Sequence, residues 1–164
     1  MATTTHSKPT SSLLKRAVAL LARREHSRAE LARKLMRRLD EGQDHADVDA
    51  VLDELQRRDL LSEERFALSV VRARAVRYGD ARLKQDLKSR GAAPDAAAAA
   101  LDAVRGSELE RACAVWARRF GGPPASMQER SRQVRFLEAR GFSAAVIRRV
   151  LAGHPDDDTG GFDI

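Results

Sequence analysis

The chain contains a single cysteine, Cys113, and only 4% aromatic residues among its 164 positions. One cysteine excludes an intramolecular disulfide framework and fits a reducing compartment, so we expect a cytoplasmic protein. Cys113 lies in an apolar helical pattern, and we interpret it as a small buried hydrophobe rather than a nucleophile. With so few aromatic rings, alanine and leucine must fill most of the core.

Long apolar runs are also absent. No stretch approaches the roughly 18 residues that a membrane-spanning helix requires, so we expect no membrane partner. The first ten residues contain Lys8 but no following apolar core with a cleavage site. We therefore interpret residues 1–11 as a disordered N-terminal segment and not as a signal peptide.

Motifs for catalysis and cofactor binding are missing as well. The sequence has no Gly-rich phosphate loop with a following Lys-Ser/Thr, and no segment resembles a nucleophile elbow. The four histidines, His6, His26, His45 and His154, are scattered without the pairing of a metal site. His45 stands among aspartates at positions 44, 47 and 49, but a polar helix start explains these residues more simply. We expect no enzyme, no metal and no cofactor.

The best-defined stretch runs from Leu60 to Gly91 and predicts two helices separated by a short turn. Ser62 is the predicted N-cap of the first helix, with acidic residues in its first turn, where the positive helix end favours carboxylates. Asp80 is the predicted N-cap of the second, and Gly91 closes that helix in a left-handed conformation. The predicted apolar lines are Phe66, Val70 and Ala73 in the first helix, and Leu83 and Leu87 in the second.

Further helix starts are predicted from capping residues. In the S-x-x-E capping box a serine hydroxyl accepts from the third amide, and the glutamate reaches back to the serine amide. The three such pairs are Ser27 with Glu30, Ser107 with Glu110, and Ser126 with Glu129. The first helix is expected to begin near Ser11 or Ser12, Ser143 is a further cap, and Pro94 suits a first helical turn.

The remaining apolar lines have helical spacing. They are Leu13, Leu14, Ala17, Leu20 and Leu21; Leu31, Leu35 and Leu39; Val48, Val51, Leu52 and Leu55; Ala97, Leu101 and Val104; Leu109, Cys113, Trp116 and Phe120; Val134 and Leu137; and Val146, Ile147, Val150 and Leu151. Trp116 is interpreted as a core anchor, because its neighbours at this spacing are also apolar.

These segments repeat along the chain. Ser12, Ser62 and Ser107 each open a first helix, and Leu87–Gly91 matches Leu137–Gly141 in pattern. The repeat predicts an all-α fold of three tandem three-helix repeats, which should stack into an elongated, curved array because one such module is small for an independent core. The predicted boundaries are a disordered segment at 1–11, repeats at 12–61, 62–106 and 107–153, and an acidic flexible tail at 154–164.

Basic residues dominate the charge. The formal net charge is +6, and the last ten residues contain four aspartates but no lysine or arginine, which leaves 30 basic against 20 acidic residues elsewhere. The excess favours an anionic partner, although a solvated helix surface also accounts for it. We expect a basic face that binds the partner. Its candidate residues are Arg24, Lys34, Arg72, Arg74, Arg77, Arg82, Lys84, Lys88 and Arg90.

Several residues at fixed offsets carry a family resemblance. They are Leu21, Arg24, Ser27, Glu30, Leu31, Lys34 and Leu35; the string Leu60–Ala67 with Arg72, Arg74, Gly79, Leu83, Leu87, Arg90 and Gly91; and Arg118–Phe120 with Phe136–Phe142. In these motifs the chain resembles the RecX family of recombination regulators from Leu13 to Ala152.

The resemblance implies a cytoplasmic bacterial protein of homologous recombination, DNA repair and the SOS response. Such a protein binds the RecA recombinase in the groove of the RecA–DNA filament and restrains its ATPase, strand-exchange and coprotease activities. We expect a monomer, with single- or double-stranded DNA as a second candidate partner. Two alternatives stay open: a helical nucleic-acid-binding protein without a recombinase partner, and a helical adaptor whose charges are merely solvated.

Overall fold

The structure is a computed structural model that describes residues 9–153, and every regular element within this range is an α-helix. In chain order the helices are α1 (Pro9–Leu21), α2 (Arg28–Met36), α3 (His45–Arg57), α4 (Glu63–Arg74), α5 (Asp80–Ser89), α6 (Pro94–Arg105), α7 (Glu108–Phe120), α8 (Met127–Glu138) and α9 (Ala144–Leu151). The all-α class predicted from the sequence is confirmed. The first eight residues of the segment predicted to be disordered at 1–11, and the predicted tail at 154–164, lie outside the described residues.

Serine hydroxyls cap four of these helices as predicted, because each accepts an otherwise unpaired amide of the first turn. The acceptor oxygens and donor amides are Ser27 with Glu30 at 3.1 Å, Ser62 with Arg65 at 3.2 Å, Ser126 with Glu129 at 3.1 Å, and Ser143 with Val146 at 3.3 Å. Asp44 caps α3 through a reciprocal capping box with Asp47, at 3.1 Å in both directions. The aspartates around His45 therefore belong to a polar helix start.

Other capping predictions were wrong. The Ser107 backbone is not extended, with φ −102° and ψ 9°, and its hydroxyl donates to the Val104 carbonyl at 2.9 Å instead of capping α7. Asp80 is the first residue of α5 and not its cap, because its carboxylate accepts from Arg111 at 2.7 Å. Helix α1 starts at Pro9, earlier than the predicted Ser11 or Ser12 and inside the segment expected to be disordered.

The glutamates of two predicted capping boxes do not return to the serine amide. Glu30 instead accepts from the guanidinium of Arg24, and Glu129 accepts from the Ala125 amide at 2.8 Å. In both boxes only the serine half of the motif forms.

The described residues form two compact units. The first comprises the residues up to Ser69 together with Leu87–Ala99, and the second comprises Val70–Asp86 together with the residues from Ala100 onward. In the first unit α1, α2 and α3 pack on one another around buried aliphatic residues. These are Leu13, Ala17, Leu31, Leu35, Val48, Val51, Leu52, Leu55 and Leu61. The apolar lines predicted for these three helices lie in or against this core.

In the second unit α7, α8 and α9 enclose a core of their own. Its buried residues are Ala112, Val115, Leu137, Phe142, Ile147, Val150 and Leu151. The line predicted for α7, from Leu109 to Phe120, is only half-buried, because the small side chain of Ala112 lies at the centre of the apolar face. Cys113 and Trp116 pack against this core from the side, and Trp116 Nε1 donates to Gln133 Oε1 at 2.7 Å.

In α4 and α6 as well, the buried residues differ from the predicted apolar line. In α6 the buried residues are Ala96 and Ala100, while the predicted line of Ala97, Leu101 and Val104 is half-buried. In α4 the predicted Ala73 is exposed, and Ala67 and Val71 are buried beside Phe66 and Val70. In both helices alanines are among the most buried residues, and alanine contributes little to an apolar line read from the sequence.

A glutamate joins the start of α2 to the start of α6 within the first unit. Glu63, in the first turn of α4, accepts from the Arg28 amide at 2.6 Å and from the Ala93 amide at 2.8 Å. The Ser27 hydroxyl also donates to the carbonyl of Arg90 at 2.7 Å. We call these contacts the first joint, because they fasten the second helix of repeat 1 to repeat 2.

The second unit contains the equivalent arrangement, which we call the second joint. Glu108, in the first turn of α7, accepts from the Asp80 amide at 3.1 Å and from the Ser143 amide at 3.3 Å. The Gly79 amide donates to the Arg140 carbonyl at 2.9 Å. Both glutamates follow the serine predicted to open a first helix, so the repeat seen in the sequence is also a repeat of contacts.

Candidate partner-binding surfaces

The candidate basic residues are divided between the two units. Arg24, Lys34, Lys88 and Arg90 belong to the first, and Arg72, Arg74, Arg77, Arg82 and Lys84 belong to the second. Lys34, Arg74 and Arg90 are half-buried, and the other six are exposed. Their common role in binding stays a prediction.

Arg24 of the first unit is held by a carboxylate at the start of α2. Its two terminal nitrogens donate to the two oxygens of Glu30 at 2.9 and 2.6 Å, a bidentate pairing. These hydrogen bonds lower the pKa of Glu30 and raise the pKa of Arg24. Much of the charge on Arg24 is therefore compensated within the protein.

Lys34 forms a hydrogen bond with a buried histidine in the same region. Its Nζ lies 2.9 Å from Nε2 of His26, whose Nδ1 lies 2.9 Å from the carbonyl oxygen of Arg24. Because an ammonium group only donates, Nε2 must accept and Nδ1 must donate to the carbonyl. Burial lowers the pKa of His26, and the nearby charges of Arg24 and Lys34 act in the same direction. No sequence pattern predicted the burial of His26.

The other two candidates of the first unit lie at the end of α5. Lys88 is exposed in the last turn, and the Arg90 carbonyl takes part in the first joint. Neither side chain forms an ion pair with a carboxylate of the described residues. Both cations are thus available to an external anion.

In the second unit one aspartate binds two of the candidates. Asp86 pairs with Arg74 and, at 3.6 Å, with Arg82. The two guanidinium groups also lie over the ring of Tyr78, 4.6 and 5.8 Å from its centroid. Arg74 and Arg82 therefore support the turn between α4 and α5, and their charge is shared with Asp86.

Arg72, Arg77 and Lys84 of the second unit are exposed, and none of them pairs with a carboxylate in the described part of the chain. Arg77 also lines a cleft of about 420 Å³ with Tyr78, Val115, Arg118, Arg119, Phe136 and Arg140. We call it the arginine cleft. The structure thus brings Arg77 together with three arginines that were not among the candidates.

Residues 9–153 contain no group of three or more histidine, cysteine, aspartate or glutamate side chains placed to hold a metal ion. None of the helices described is long and apolar enough to cross a membrane.

Comparison with known proteins decides the family. Residues 62–101 match the family model of the second three-helix domain of RecX, and residues 107–151 match that of the third. The regulatory protein RecX of Leptothrix cholodnii is 53% identical over 152 residues, which cover 92% of this chain and 95% of the relative. The chain belongs to the RecX family. The regulatory protein RecX of Ralstonia nicotianae is 51% identical over 142 residues, 87% of each chain.

Solved RecX structures have the same fold. The crystal structure of RecX from Lactobacillus salivarius superposes with a TM-score of 0.75 at 19% identity and covers 90% of this chain and 97% of that one. A second RecX crystal structure gives a TM-score of 0.74 at 18% identity, over 88% and 73% of the two chains. The fold of three-helix repeats is confirmed, and the relatives at high identity are named regulatory proteins and not enzymes.

The segments that carry the RecX resemblance also contain arginines that are absent from the predicted basic face. Arg118 and Arg119 stand in the same segment as Phe120, and Arg140 stands in the same segment as Phe136. The predicted basic face contains only residues of the first two repeats, although the third repeat is about as rich in arginine and lysine as the second. Arg119 directly precedes Phe120, and Arg140 follows Phe136 by four residues, which places both on one side of a helix; this pairing of arginine with an aromatic residue was the available signal.

Proposed function

We propose that this RecX-family protein binds the RecA recombinase filament assembled on DNA and inhibits its ATPase, strand-exchange and coprotease activities. The observation that carries the proposal is family membership along almost the whole chain, among relatives named as regulatory proteins. The described residues support a role in binding, because both units present exposed cations without a carboxylate partner. The protein then acts by association and not by catalysis, in the cytoplasm where the recombinase works.

The mechanism follows from linkage between binding and filament state. A ligand shifts an equilibrium only to the extent that it binds one state more tightly than the other. RecA monomers and filament subunits differ in how closely their surfaces and bound DNA are spaced. A protein whose cations contact neighbouring subunits, or a subunit and its DNA, distinguishes these states and limits filament growth or rearrangement.

The first prediction concerns the DNA-dependent ATPase of RecA from the same organism. Added wild-type protein should lower the rate progressively, and the variant carrying Arg72→Glu and Lys84→Glu should require about tenfold more protein for the same inhibition. These two residues are exposed and unpaired, so their reversal should leave the fold intact. Arg74 is unsuitable for this test, because its reversal would set two acidic groups against each other at Asp86.

The control is Arg148→Glu, an exposed arginine of α9 in the same unit that undergoes the same change of charge per substituted residue. It should inhibit as the wild type does. An ATPase rate that stays constant at every ratio of wild-type protein to RecA contradicts the proposal. A stable, sequence-specific complex with duplex DNA in the absence of RecA would favour a stand-alone nucleic-acid-binding protein instead.

A further inference from the structure

The arginine cleft lies entirely within the second unit and gathers four guanidinium groups around about 420 Å³. Arg77 follows α4, Arg118 and Arg119 come from the last turn of α7, and Arg140 follows α8. Residues from three separate parts of the chain thus converge on one cavity. Its volume is that of a pocket which encloses a small ligand or a short piece of a polymer.

Two of these arginines are held in position by the backbone. Arg118 donates from Nε to the Ala114 carbonyl at 3.1 Å and from a terminal nitrogen to the Val76 carbonyl at 3.4 Å. Arg140 donates to the Phe136 carbonyl at 3.2 Å, and its guanidinium lies 3.6 Å from the centroid of the Phe136 ring. Contacts of this kind fix a guanidinium without neutralising it, so less side-chain entropy is lost when an anion binds.

The cleft arginines differ in their partners from four other arginines of the unit. Arg74, Arg82, Arg105 and Arg111 each pair with an aspartate. None of the four cleft arginines has a carboxylate within ion-pair distance among the described residues. Like charges gathered around one cavity repel one another, and an anion in the cleft would offset that repulsion.

The surroundings indicate a polyanion and not a single small ion. Next to the cleft, the guanidinium groups of Arg119 and Arg132 both lie over the ring of Phe120, 5.7 and 5.6 Å from its centroid. The positive charge therefore continues beyond the cavity itself. A phosphodiester strand carries one negative charge on every nucleotide and can follow such a row, whereas a small phosphate compound would end within the cleft.

The aromatic side chains indicate which class of polyanion the cleft binds. Tyr78 and Phe136 contribute to the lining, and arginines interleaved with aromatic rings are typical of sites for single-stranded nucleic acids. A cavity of this volume takes a short length of one strand and not a duplex. We propose that Arg77, Arg118, Arg119 and Arg140 form a binding site for the phosphodiester backbone of a single-stranded nucleic acid.

This inference rests on the proposed function only in assuming that the protein works on a nucleic-acid filament, and its test leaves RecA out. Fluorescence anisotropy would follow the full chain binding to a labelled oligothymidylate of about twelve nucleotides, which spans a site of the usual size and has no duplex structure. The cleft variant combines Arg77→Glu with Arg119→Glu, since both side chains are exposed and donate no hydrogen bond to residues 9–153. Thermal melting would check that the variant folds.

The cleft variant should bind about tenfold more weakly than the wild type at low salt. The slope of log K against log salt concentration should also fall by about 1.4, since each lost phosphate contact on a single strand removes about 0.7. The variant with lysine at both positions should keep the wild-type slope, because lysine retains the charge. Arg148→Glu, which lies outside the cleft, should change the affinity by less than about twofold.

Three results would overturn the inference. The first is an affinity of the cleft variant equal to that of Arg148→Glu. The second is competition by pyrophosphate that matches the oligonucleotide at equal phosphate concentration, which would make the cleft a small-anion site. The third is unchanged oligonucleotide binding together with lost inhibition of the RecA ATPase, which would assign the cleft to carboxylates of a protein. If the wild-type protein binds the oligonucleotide through the cleft but does not slow the RecA ATPase, the proposed function is refuted and the inference about the cleft stands.

Discussion

His26 illustrates how one buried side chain organises its neighbours. It is 1% exposed, and both ring nitrogens are hydrogen-bonded, Nδ1 to the carbonyl of Arg24 and Nε2 to the ammonium group of Lys34. Glu30 completes the cluster by pairing with Arg24. The neutral imidazole is the form that fits, because Nε2 must stay unprotonated to accept from Lys34. Protonation would remove that hydrogen bond and place a third positive charge among two others.

The stability of the protein should therefore depend on pH near neutrality. The pKa of His26 is lower in the folded than in the unfolded chain, so the unfolded state takes up the proton first as the pH falls. The stabilisation is complete above the ordinary histidine pKa of about 6.5 and declines below it. Urea unfolding at pH 7.5 and 5.5 should show a loss for the wild type, and His26→Gln should show a smaller loss between the same pH values.

The variant's lower stability at both pH values does not affect this comparison, which concerns only the difference between them. The wild type and the variant contain the same carboxylates, so the titration of these groups contributes to both losses. The pKa of Glu30 is lowered, so this group titrates at a more acidic pH. Equal losses in wild type and variant would contradict the role assigned to His26.

Single residues show what the sequence could and could not predict. The caps at Ser27, Ser62, Ser126 and Ser143 were predictable, because a cap bonds an amide three residues away. The reciprocal half of the Ser27 box failed because Arg24 competes for Glu30. Asp80 failed as a cap for the same reason, since Arg111 lies 31 residues away in sequence. A local motif gives no information about a distant partner that binds one of its members more strongly.

At the scale of elements, the helix ends show how one repeat is joined to the next. The two joints use the same parts: a glutamate at the start of a first helix, two helix amino termini, and the end of a second helix. The positive helix ends explain why a carboxylate fits there. The sequence placed Glu63 in a first turn correctly, but its amide partners lie 35 and 30 residues away. The period of the repeat was visible, whereas the contact that joins the repeats required the structure.

The second joint should be sensitive to a single methyl group. Gly141 has φ +78°, and a Cβ there would lie 2.5 Å from the Arg82 amide nitrogen and 2.6 Å from the Arg82 Cβ. Gly141→Ala should cost about 3 kcal/mol or more of unfolding free energy, since left-handed strain of about 1–2 kcal/mol adds to a clash with backbone. Equilibrium urea unfolding would measure the loss.

Gly121 provides the matched control for this substitution. It has φ +71°, and a Cβ there would meet nothing within 4 Å. Gly121→Ala should therefore cost only the strain of about 1–2 kcal/mol. If the two variants lose the same stability, the close approach of Gly141 to α5 does not constrain the fold.

At the scale of the whole molecule, the sequence predicts the net charge well but does not predict which cations are free to bind a partner. The basic excess was evident from composition, but composition does not reveal which cations are already paired. Arg24, Arg74 and Arg82 are compensated by Glu30 and Asp86. Arg118, Arg119 and Arg140 are not, and pairing of this kind is decided by tertiary contacts that no local pattern encodes.

The acidic tail supplies the last prediction. Asp156, Asp157, Asp158 and Asp163 lie outside the described residues, but their charges belong to the same molecule as the cations. At low salt the interaction between them reaches well beyond contact, since the screening length is about 10 Å at 0.1 M and about 3 Å at 1 M. Deleting residues 156–164 should raise the affinity for RecA–DNA filaments a few-fold at low salt, measured by co-sedimentation across a salt series.

The variant in which the first three of these aspartates become asparagine keeps the length of the tail and removes most of its charge. It should reproduce most of the gain if charge is the cause, and both variants should approach the wild type near 1 M salt. A gain that persists at high salt would instead mean that the tail obstructs the surface sterically. A loss of affinity on deletion would mean that the tail itself binds the filament, because removing an internal competitor can only strengthen the cations' hold on an external anion.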